Sequence, residues 1–411
     1  MNVVLVNDSA RIDGGVARVA LSSAAVLAQR GHDVTLLAAG DDEAGDAQRG
    51  FRAVFTGQRE IADDPNRLQA AVQGIWNARA RRALHAILAP LDPADTVVHL
   101  HGWSHALSAS VAAEAARMRF PAVATLHDYF AACPNGGFFN HRTLRHCPLE
   151  PMGARCMATH CDSRGYPHKV WRVVRQAVQL RSGFPACTRH FITVSRYSAR
   201  ILRPYLPAGA VVHAVRNPVE AERRAPADVG AHDTFLFVGR LSPEKGALLF
   251  ARAAAGLGVP ATIVGDGVLR AEVAHACPAA RMTGWLASPA ITAEMRRARA
   301  LVLPSLWHET QGLVVAEAAA EGVPAIVPRE SAAAEFVADG ITGLHFTSGD
   351  EADLRAKMAL LRTDAGLAAR LGKAASGQFW SDPPTPGRHA DHLEAVYRRV
   401  IGDAARRRAP P

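Results

Sequence analysis

The sequence predicts an α/β protein made of two doubly wound parallel-sheet domains in tandem. Three observations carry that prediction. Short apolar runs alternate with Ala-rich stretches of helical period, the mark of βαβ units whose sheet is covered on both faces. A polar, charged, Pro-containing stretch, "RNPVEAERRAPADVGAHD" at 216–233, divides the alternation into two series. At 411 residues the chain is also too long for one comfortable core.

The first series opens with "NVVLVN", an apolar run that reads as a strand and its turn. "GGVARVALSSAAVLAQRG" follows with helical periodicity and closes on a glycine, the favoured residue just past a helix end, before the next strand "HDVTLLAA". The runs "TVVHLHG", "PAVATLHD", "HFITVS" and "VVHAVRN" continue the pattern. After the linker come "TFLFVGR", "PATIVGDG", "ARMTGW", "ALVLPS" and "PAIVPR", each trailed by a helical stretch, and "HADHLEAVYRRVIGDAARR" is a last helix with no strand behind it. The domains are thus read as 1–217, 218–379, and a terminal helix and tail over 380–411. Residues 129–167 are the exception, rich in Cys, His, Gly, Pro and Arg and without a period. So long a stretch needs a function or a staple to hold it.

Composition excludes several classes. An apolar content of 49% with 21% charged residues describes a globular chain, and no run approaches the roughly 20 apolar residues of a membrane span. The start "MNVVLVNDSARIDGG" has no basic n-region and no long apolar core, so it is not read as a signal peptide and the expected location is cytoplasmic. The excess of 47 Lys+Arg over 38 Asp+Glu favours anionic partners: phosphorylated substrates, or anionic lipid at the inner membrane face. Nucleic acid is set aside, because no helix-turn-helix or RNA-binding signature occurs and the basic residues are not interleaved with an aromatic platform. A NAD-dependent enzyme is disfavoured, since no G-x-G-x-x-G follows the first strand. The basic helical segments "HKVWRVVRQAVQLR" and "WNARARRALHAIL" each carry a tryptophan; they are read as core-facing stripes with solvated basic faces, with a membrane-surface role as the alternative.

The chemistry concentrates in "LVLPSLWHETQGLVVAEAAAEG". Eight positions along one helix would put Glu309 and Glu317 about 80° off register and roughly 12 Å apart in rise, so they would not converge on one atom. In open α/β sheets ligands bind beyond the carboxyl ends of the strands, which places Glu309 in a loop at that edge. Gly312 then allows close backbone approach, and the helix opening at Leu313 offers unpaired N–H groups to an anion. An acid, a phosphate-sized cradle and a second acid suit a sugar, a diphosphate and a ribose in a row. "FVGRLSPEKG" brings Arg240 and Lys245 to the same edge as cations for a diphosphate. "GDG" at Gly265–Gly267 is a strand-end turn with a second reading as a contact to the nucleotide.

At these residues the sequence resembles a known family. "FVGRLSPEKG", "IVGDG", "VLPSLWHETQGLVVAEAAAEGVPAIV" and "EFVADGITGLHF" resemble the donor-binding half of retaining glycosyltransferases of the GT-B fold, family 4. The resemblance implies two Rossmann-like domains facing across a cleft, with the last helix crossing back to the first. It implies that Glu309 meets the donor sugar hydroxyls and Glu317 the ribose, while Arg240 and Lys245 meet the diphosphate. It also implies donor-site roles for Gly14 and Gly15 in the first strand–helix turn and for His127 after "PAVATL", although a histidine at a strand end is more often structural. The chain departs from the pattern at Thr310–Gln311, where an aromatic usually precedes the glycine.

The function so read is transfer of a sugar, with retention, from a nucleotide diphosphate sugar to a saccharide or lipid-linked saccharide in surface polysaccharide assembly. A nucleotide-sugar epimerase of the same architecture and, from a different class, a basic nucleic-acid-binding protein are the alternatives. Catalysis needs no cofactor on this reading. Four of the six cysteines, Cys133, Cys147, Cys156 and Cys161, fall in the irregular stretch and are the candidate ligands of a structural zinc, with free buried thiols as the alternative. That stretch follows His127–Asp128 and is expected to shape the acceptor side.

Overall fold

The computed structural model describes residues 1–12, 14–41 and 50–408, so the end of the expected tail lies outside them. The chain forms two compact units. The first comprises residues 1–137, 149–218 and 384–411; the second comprises 138–148 and 219–383.

In chain order the strands before the linker are β1 (Asn2–Val6), β2 (Asp33–Ala38), β3 (Arg52–Phe55), β4 (Thr96–Leu100), β5 (Ala122–Leu126), β6 (Phe139–Asn140), β7 (Arg145–His146), β8 (His190–Thr193) and β9 (Val211–Ala214). Seven of them make the parallel sheet of the first unit, in the order β3-β2-β1-β4-β5-β8-β9. Central strands buried on both faces are mostly apolar, which makes β1 and β4 readable as runs despite Thr96 and His99 in β4. β3 was not read from the sequence: it is a half-exposed edge strand opening on an exposed arginine, and it carries neither signal.

The last helix, Pro386–Arg408, packs into this unit. Its Ala390, Leu393, Val396, Tyr397 and Val400 join Val3, Leu5, Ala24, Leu27 and Leu36 in one core, with each fully buried Leu or Val contributing roughly 1.5–3 kcal/mol. Polar contacts fix its register: Arg30 pairs with Asp391 at 2.6 Å, His389 Nε2 lies 3.0 Å from Ser23 Oγ, and Tyr397 OH lies 2.7 Å from His99 Nδ1.

The second unit contains β10 (Phe235–Val238), β11 (Ala261–Val264), β12 (Arg281–Gly284), β13 (Ala300–Val302), β14 (Ala325–Pro328) and β15 (Gly343–Phe346), all parallel, in the order β12-β11-β10-β13-β14-β15. Its core is built on Phe235, Phe237, Phe250, Ile263, Leu301, Ile326 and Phe346. In both sheets the strand order reverses once, between β1 and β4 and between β10 and β13. Such switch points open a crevice at the carboxyl edge where ligands bind.

Two expectations about the irregular stretch need correction. It is structured: β6 and β7 pair antiparallel, and short helical segments follow. Residues 138–148, including that hairpin, also belong to the second unit rather than the first. The helix Tyr166–Arg181 inverts the expected polarity as well. It buries Lys169, Arg175, Gln176 and Gln179 and leaves Tyr166, Val170, Val174 and Leu180 exposed. Part of its polar face finds partners inside: Arg175 donates to the carbonyl of Ser104 and stacks on Phe130, and Gln179 donates to the carbonyl of Phe130, whereas Gln176 Nε2 has no partner among the described residues. Among the described residues, no helix is long and apolar enough to cross a membrane.

Candidate active site

The switch point of the second unit is lined by the loops after β10 and β13, and those loops touch. Gly246 has φ +70°, and a Cβ there would lie 2.0 Å from the carbonyl oxygen of Pro304. Only glycine satisfies both the left-handed backbone and the close approach. Leu306 N donates to Glu244 O at 2.9 Å and ties the loops a second time.

This contact brings Lys245 to Glu309, 64 positions on. Lys245 Nζ donates to both carboxylate oxygens of Glu309, at 3.1 and 2.9 Å. Ser305 Oγ and Trp307 Nε1 donate to Oε2, each at 3.0 Å, and the Lys245 ammonium lies 4.8 Å from the Trp307 ring centre. Burial pushes the Glu309 carboxyl up. The Lys245 charge and the hydrogen bonds from Lys245, Trp307 and Ser305 outweigh it and hold the group below its usual range. The result is a buried, ionised acceptor already locked in orientation, next to a cation. It can grip hydroxyls and keep positive charge beside a departing anion.

Beyond Glu309 the chain turns through Gly312, φ +76°, into the helix Leu313–Ala320. Leu313 opens it, and Glu317 sits half-buried on its second turn. Arg240 is exposed just past β10, so Lys245 and not Arg240 makes the ion pair. Gly265 and Gly267 are backbone contacts first: Cβ atoms there would lie 2.0 Å from Gly239 O and 2.5 Å from Leu241 O. Ser305 and Trp307 were missed in the sequence, although both stand inside "LVLPSLWHE". The signal that could have found them is the density of side-chain donors just before an acid.

In the first unit His127 directly follows β5, and its Nε2 lies 3.1 Å from His101 Nδ1. His99 spans Tyr397 OH and Thr125 Oγ1, each at 2.7 Å. Burial pushes the His127 imidazole down to about 3 and holds His99 and His101 well below the usual range, so this row is neutral. After β1, the Asp8 carboxylate accepts the backbone N–H groups of His105, Ala106 and Leu107 at 2.8–2.9 Å. Gly14 is extended with open space where a Cβ would stand, and Gly15 begins the helix Gly15–Gln29.

The four cysteines do not gather as proposed. Cys147 belongs to the second unit, whereas Cys133, Cys156 and Cys161 are buried in the first. Among the described residues no group of three or more His, Cys, Asp or Glu side chains is placed to hold a metal ion. The physical reason is a competing cation. Lys169 is fully buried with its Nζ 3.7 Å from Cys156 Sγ. Burial lowers its ammonium, but the sulfurs of Cys161, Cys156 and Cys133 more than offset this. That arrangement does not fit a four-thiolate zinc site.

Two family profiles match the chain. One, described as Glycosyltransferase Family 4, matches residues 13–223, just over half of it; the other, described as Glycosyl transferases group 1, matches 232–364. Glycogen synthase of Mycobacterium tuberculosis is 33% identical over 43% of this chain and 46% of its own. The GDP-mannose-dependent alpha-mannosyltransferase of Mycolicibacterium smegmatis is 36% identical over 40% of this chain and 43% of its own. The match thus spans less than half the length of either curated relative. Among solved structures, Anabaena HepE in complex with UDP and glucose superposes with a TM-score of 0.70 at 16% identity, covering 97% of this chain and all of that one. That likeness is one of fold.

Proposed function

The chain belongs to glycosyltransferase family 4 and has the GT-B fold, and on that premise we propose that it transfers a sugar from a nucleotide diphosphate sugar with retention of configuration. The observation that carries the reading is the Lys245–Glu309 pair at the switch point of the second unit. Glu309 is the acceptor for donor sugar hydroxyls, and Lys245, with Arg240 beside it, bears on the diphosphate. Gly312 and Leu313 open the helix whose N–H groups face that anion, with Glu317 on the ribose. Gly265 and Gly267 flank the nucleotide. In the first unit, His127 and the turn at Gly14 and Gly15 are assigned to the donor sugar and diphosphate.

The step is a same-face substitution. The bond from the anomeric carbon to the β-phosphate oxygen breaks, and the acceptor oxygen bonds to that carbon on the same face. The acceptor proton passes to the departing diphosphate. Positive charge fixed beside the leaving group before reaction is the main source of acceleration. Retention is supported by the alpha-mannosyltransferase named above, since GDP-mannose is itself α-linked. A UDP complex of a structural neighbour and a GDP-mannose-dependent relative make uridine and guanosine diphosphate sugars the donors to try first.

The acceptor is a saccharide or lipid-linked saccharide at the cytoplasmic membrane face, in surface polysaccharide assembly. The net charge of +9 and the exposed apolar side chains Tyr166, Val170, Val174 and Leu180 support contact with an anionic membrane.

Glu309→Gln should lower kcat about a hundredfold while nucleoside diphosphate affinity barely moves, because the amide keeps the shape and loses the charge. Glu317→Ala should instead weaken the nucleoside diphosphate itself. Titration of each variant with UDP and GDP, beside turnover with UDP-glucose and GDP-mannose, tests this division. Equal loss of nucleotide binding in both variants would overturn it.

A further inference from the structure

The hairpin β6–β7 reaches the second unit from the first half of the chain, and it lands on the two loops that form the candidate site. His146 stacks on His308, with ring centres 3.7 Å apart and planes at 21°; His308 is the residue immediately before Glu309. His141 Nδ1 lies 3.9 Å from Glu244 Oε2; Glu244 is the residue immediately before Lys245. One hairpin therefore touches the neighbour of each member of the ion pair. The hairpin is itself anchored: Phe138 and Phe139 are buried, Phe139 packs edge-on against His141 at 5.1 Å, and Cys147 N donates to Phe138 O.

The loops need such an anchor. Residues 303–312 have no helix or strand, so no backbone ladder holds them. Their ties to the loop after β10 are the Leu306–Glu244 hydrogen bond, the Gly246–Pro304 contact and the ion pair itself. Lys245 and Glu309 can bind a ligand only when both loops stand in place, and each member of the pair carries a charge that water would otherwise solvate. A body pressing on both loops from outside keeps the competent arrangement populated before any ligand arrives.

We propose that the hairpin 138–148 is a positioning element of the nucleotide-sugar site, with His146 and His141 holding the loops that carry Glu309 and Lys245. The proposal rests on the donor-site reading given above. His146 and His141 act through the loops and not on the reacting atoms. That assignment has a kinetic signature. A ligand binds with its intrinsic affinity reduced by the fraction of molecules whose loops are competent, and a saturating ligand restores that fraction itself. Loss of the hairpin contact therefore raises the donor KM and leaves kcat alone. The stack on His308 needs only a ring, while the His146 imidazole also hydrogen-bonds the backbone of Leu306 and Trp307, so an aromatic ring at 146 keeps one of its two holds on the loop.

The test uses the full chain with UDP and GDP as binding probes, UDP-glucose and GDP-mannose as donors, and amide hydrogen exchange as a readout independent of activity. His146→Ala should raise the nucleoside diphosphate Kd and the donor KM about tenfold, with kcat within about twofold, if roughly one molecule in ten then keeps competent loops. Exchange at residues 240–246 and 303–312 should quicken without nucleotide and return to the parent rate at saturation. His146→Phe keeps the stack and loses the backbone hydrogen bonds, so it should restore both readouts in part. His141→Ala, which leaves the ring stack intact, should raise KM about threefold and quicken exchange mainly at 240–246. A fall in kcat at unchanged KM, unchanged exchange, or no rescue by phenylalanine would overturn the proposal. Lys245→Ala run alongside separates the two levels. Unchanged nucleoside diphosphate binding in that variant would sink the donor-site reading, whereas weakened binding there with a silent His146→Ala would sink the hairpin's role alone.

Discussion

The two sheets share a topology and differ in what they place at the reversal. In the second unit the loops beyond β10 and β13 carry a fixed ion pair, Lys245 on Glu309, with Ser305 and Trp307 as further donors. In the first unit the loop beyond β1 carries a carboxylate as well, but Asp8 is consumed by three backbone N–H groups of the loop beyond β4. The strand ends beside it carry neutral imidazoles, His101 on His127. The same backbone plan thus yields one strand-end edge that carries a fixed ion pair and one that carries neutral imidazoles, and this difference in charge is what separates the two units.

The sharpest way to break the comparison is to remove the charge. Lys245→Ala takes away the cation that the proposed function sets beside the leaving diphosphate and leaves Glu309 buried without its main partner. kcat/KM should fall by about a hundred- to a thousandfold, or roughly 3–4 kcal/mol of transition-state stabilisation. Arg240→Ala should cost less, because Arg240 is exposed, whereas Lys245 is paired with the buried Glu309. Steady-state kinetics on both variants decide it, and equal losses would mean that the ion pair is not what distinguishes this crevice.

Much of the comparison was legible in the sequence. The strands β1, β2, β4, β5 and β8 to β14 all read as apolar runs, because most of their positions are buried and the few buried polar ones, such as His99 on β4 and Thr125 on β5, are isolated within each run. β3 was lost at an exposed edge. Glu309 and Lys245 were both identified, yet their direct pairing was not, since a contact 64 positions apart depends on Gly246 lying against Pro304. The hairpin was illegible for a different reason: its strands are two residues each and its anchors are rings in another part of the chain. The helix Tyr166–Arg181 misled because a 3.6-residue period gives a face but not which face is inside. Arginines and glutamines buried with internal partners reversed the usual choice.

Acid should separate the two units next. His127 and His389, pushed down to about 3 and about 4 by burial, and His99 and His101, held well below the usual imidazole range, all belong to the first unit. Their folded values are depressed, so between those values and about 6.5 the unfolded chain binds more protons. Stability from these groups is complete above about pH 6.5 and is lost as pH falls, by up to about 1.4 kcal/mol per pH unit for each histidine. Glu309 is depressed too, but from a carboxylate value, so its contribution persists until the pH falls below about 4.5. Of the histidines in the second unit, His146 is lowered by burial as well and adds a smaller loss in the same window. Between pH 7 and 5.5, amide exchange corrected for its intrinsic pH dependence should rise in first-unit peptides well before second-unit peptides. A uniform rise, or the reverse order, would show that the buried imidazoles do not set the acid limit.

The smallest effect tests how the neutral row is held. Tyr397 is fully buried on the last helix, and its hydroxyl lies 2.7 Å from His99 Nδ1 while His99 Nε2 lies 2.7 Å from Thr125 Oγ1. Both ring nitrogens are therefore engaged by hydroxyls, and in the neutral imidazole that burial imposes one nitrogen donates and the other accepts. Tyr397→Phe removes one oxygen, leaves the ring in the core, and strands one His99 nitrogen without a partner. The cost should be about 1–2 kcal/mol in the denaturation of the first unit, the penalty of one buried group left unsatisfied. The second unit holds no part of that network, so its own unfolding and its affinity for UDP or GDP should stay at parent values. Thr125→Val should cost about as much, and the double variant should cost less than the sum, because both changes empty the same imidazole of its partners. Strict additivity of the two would mean that His99 does not couple them.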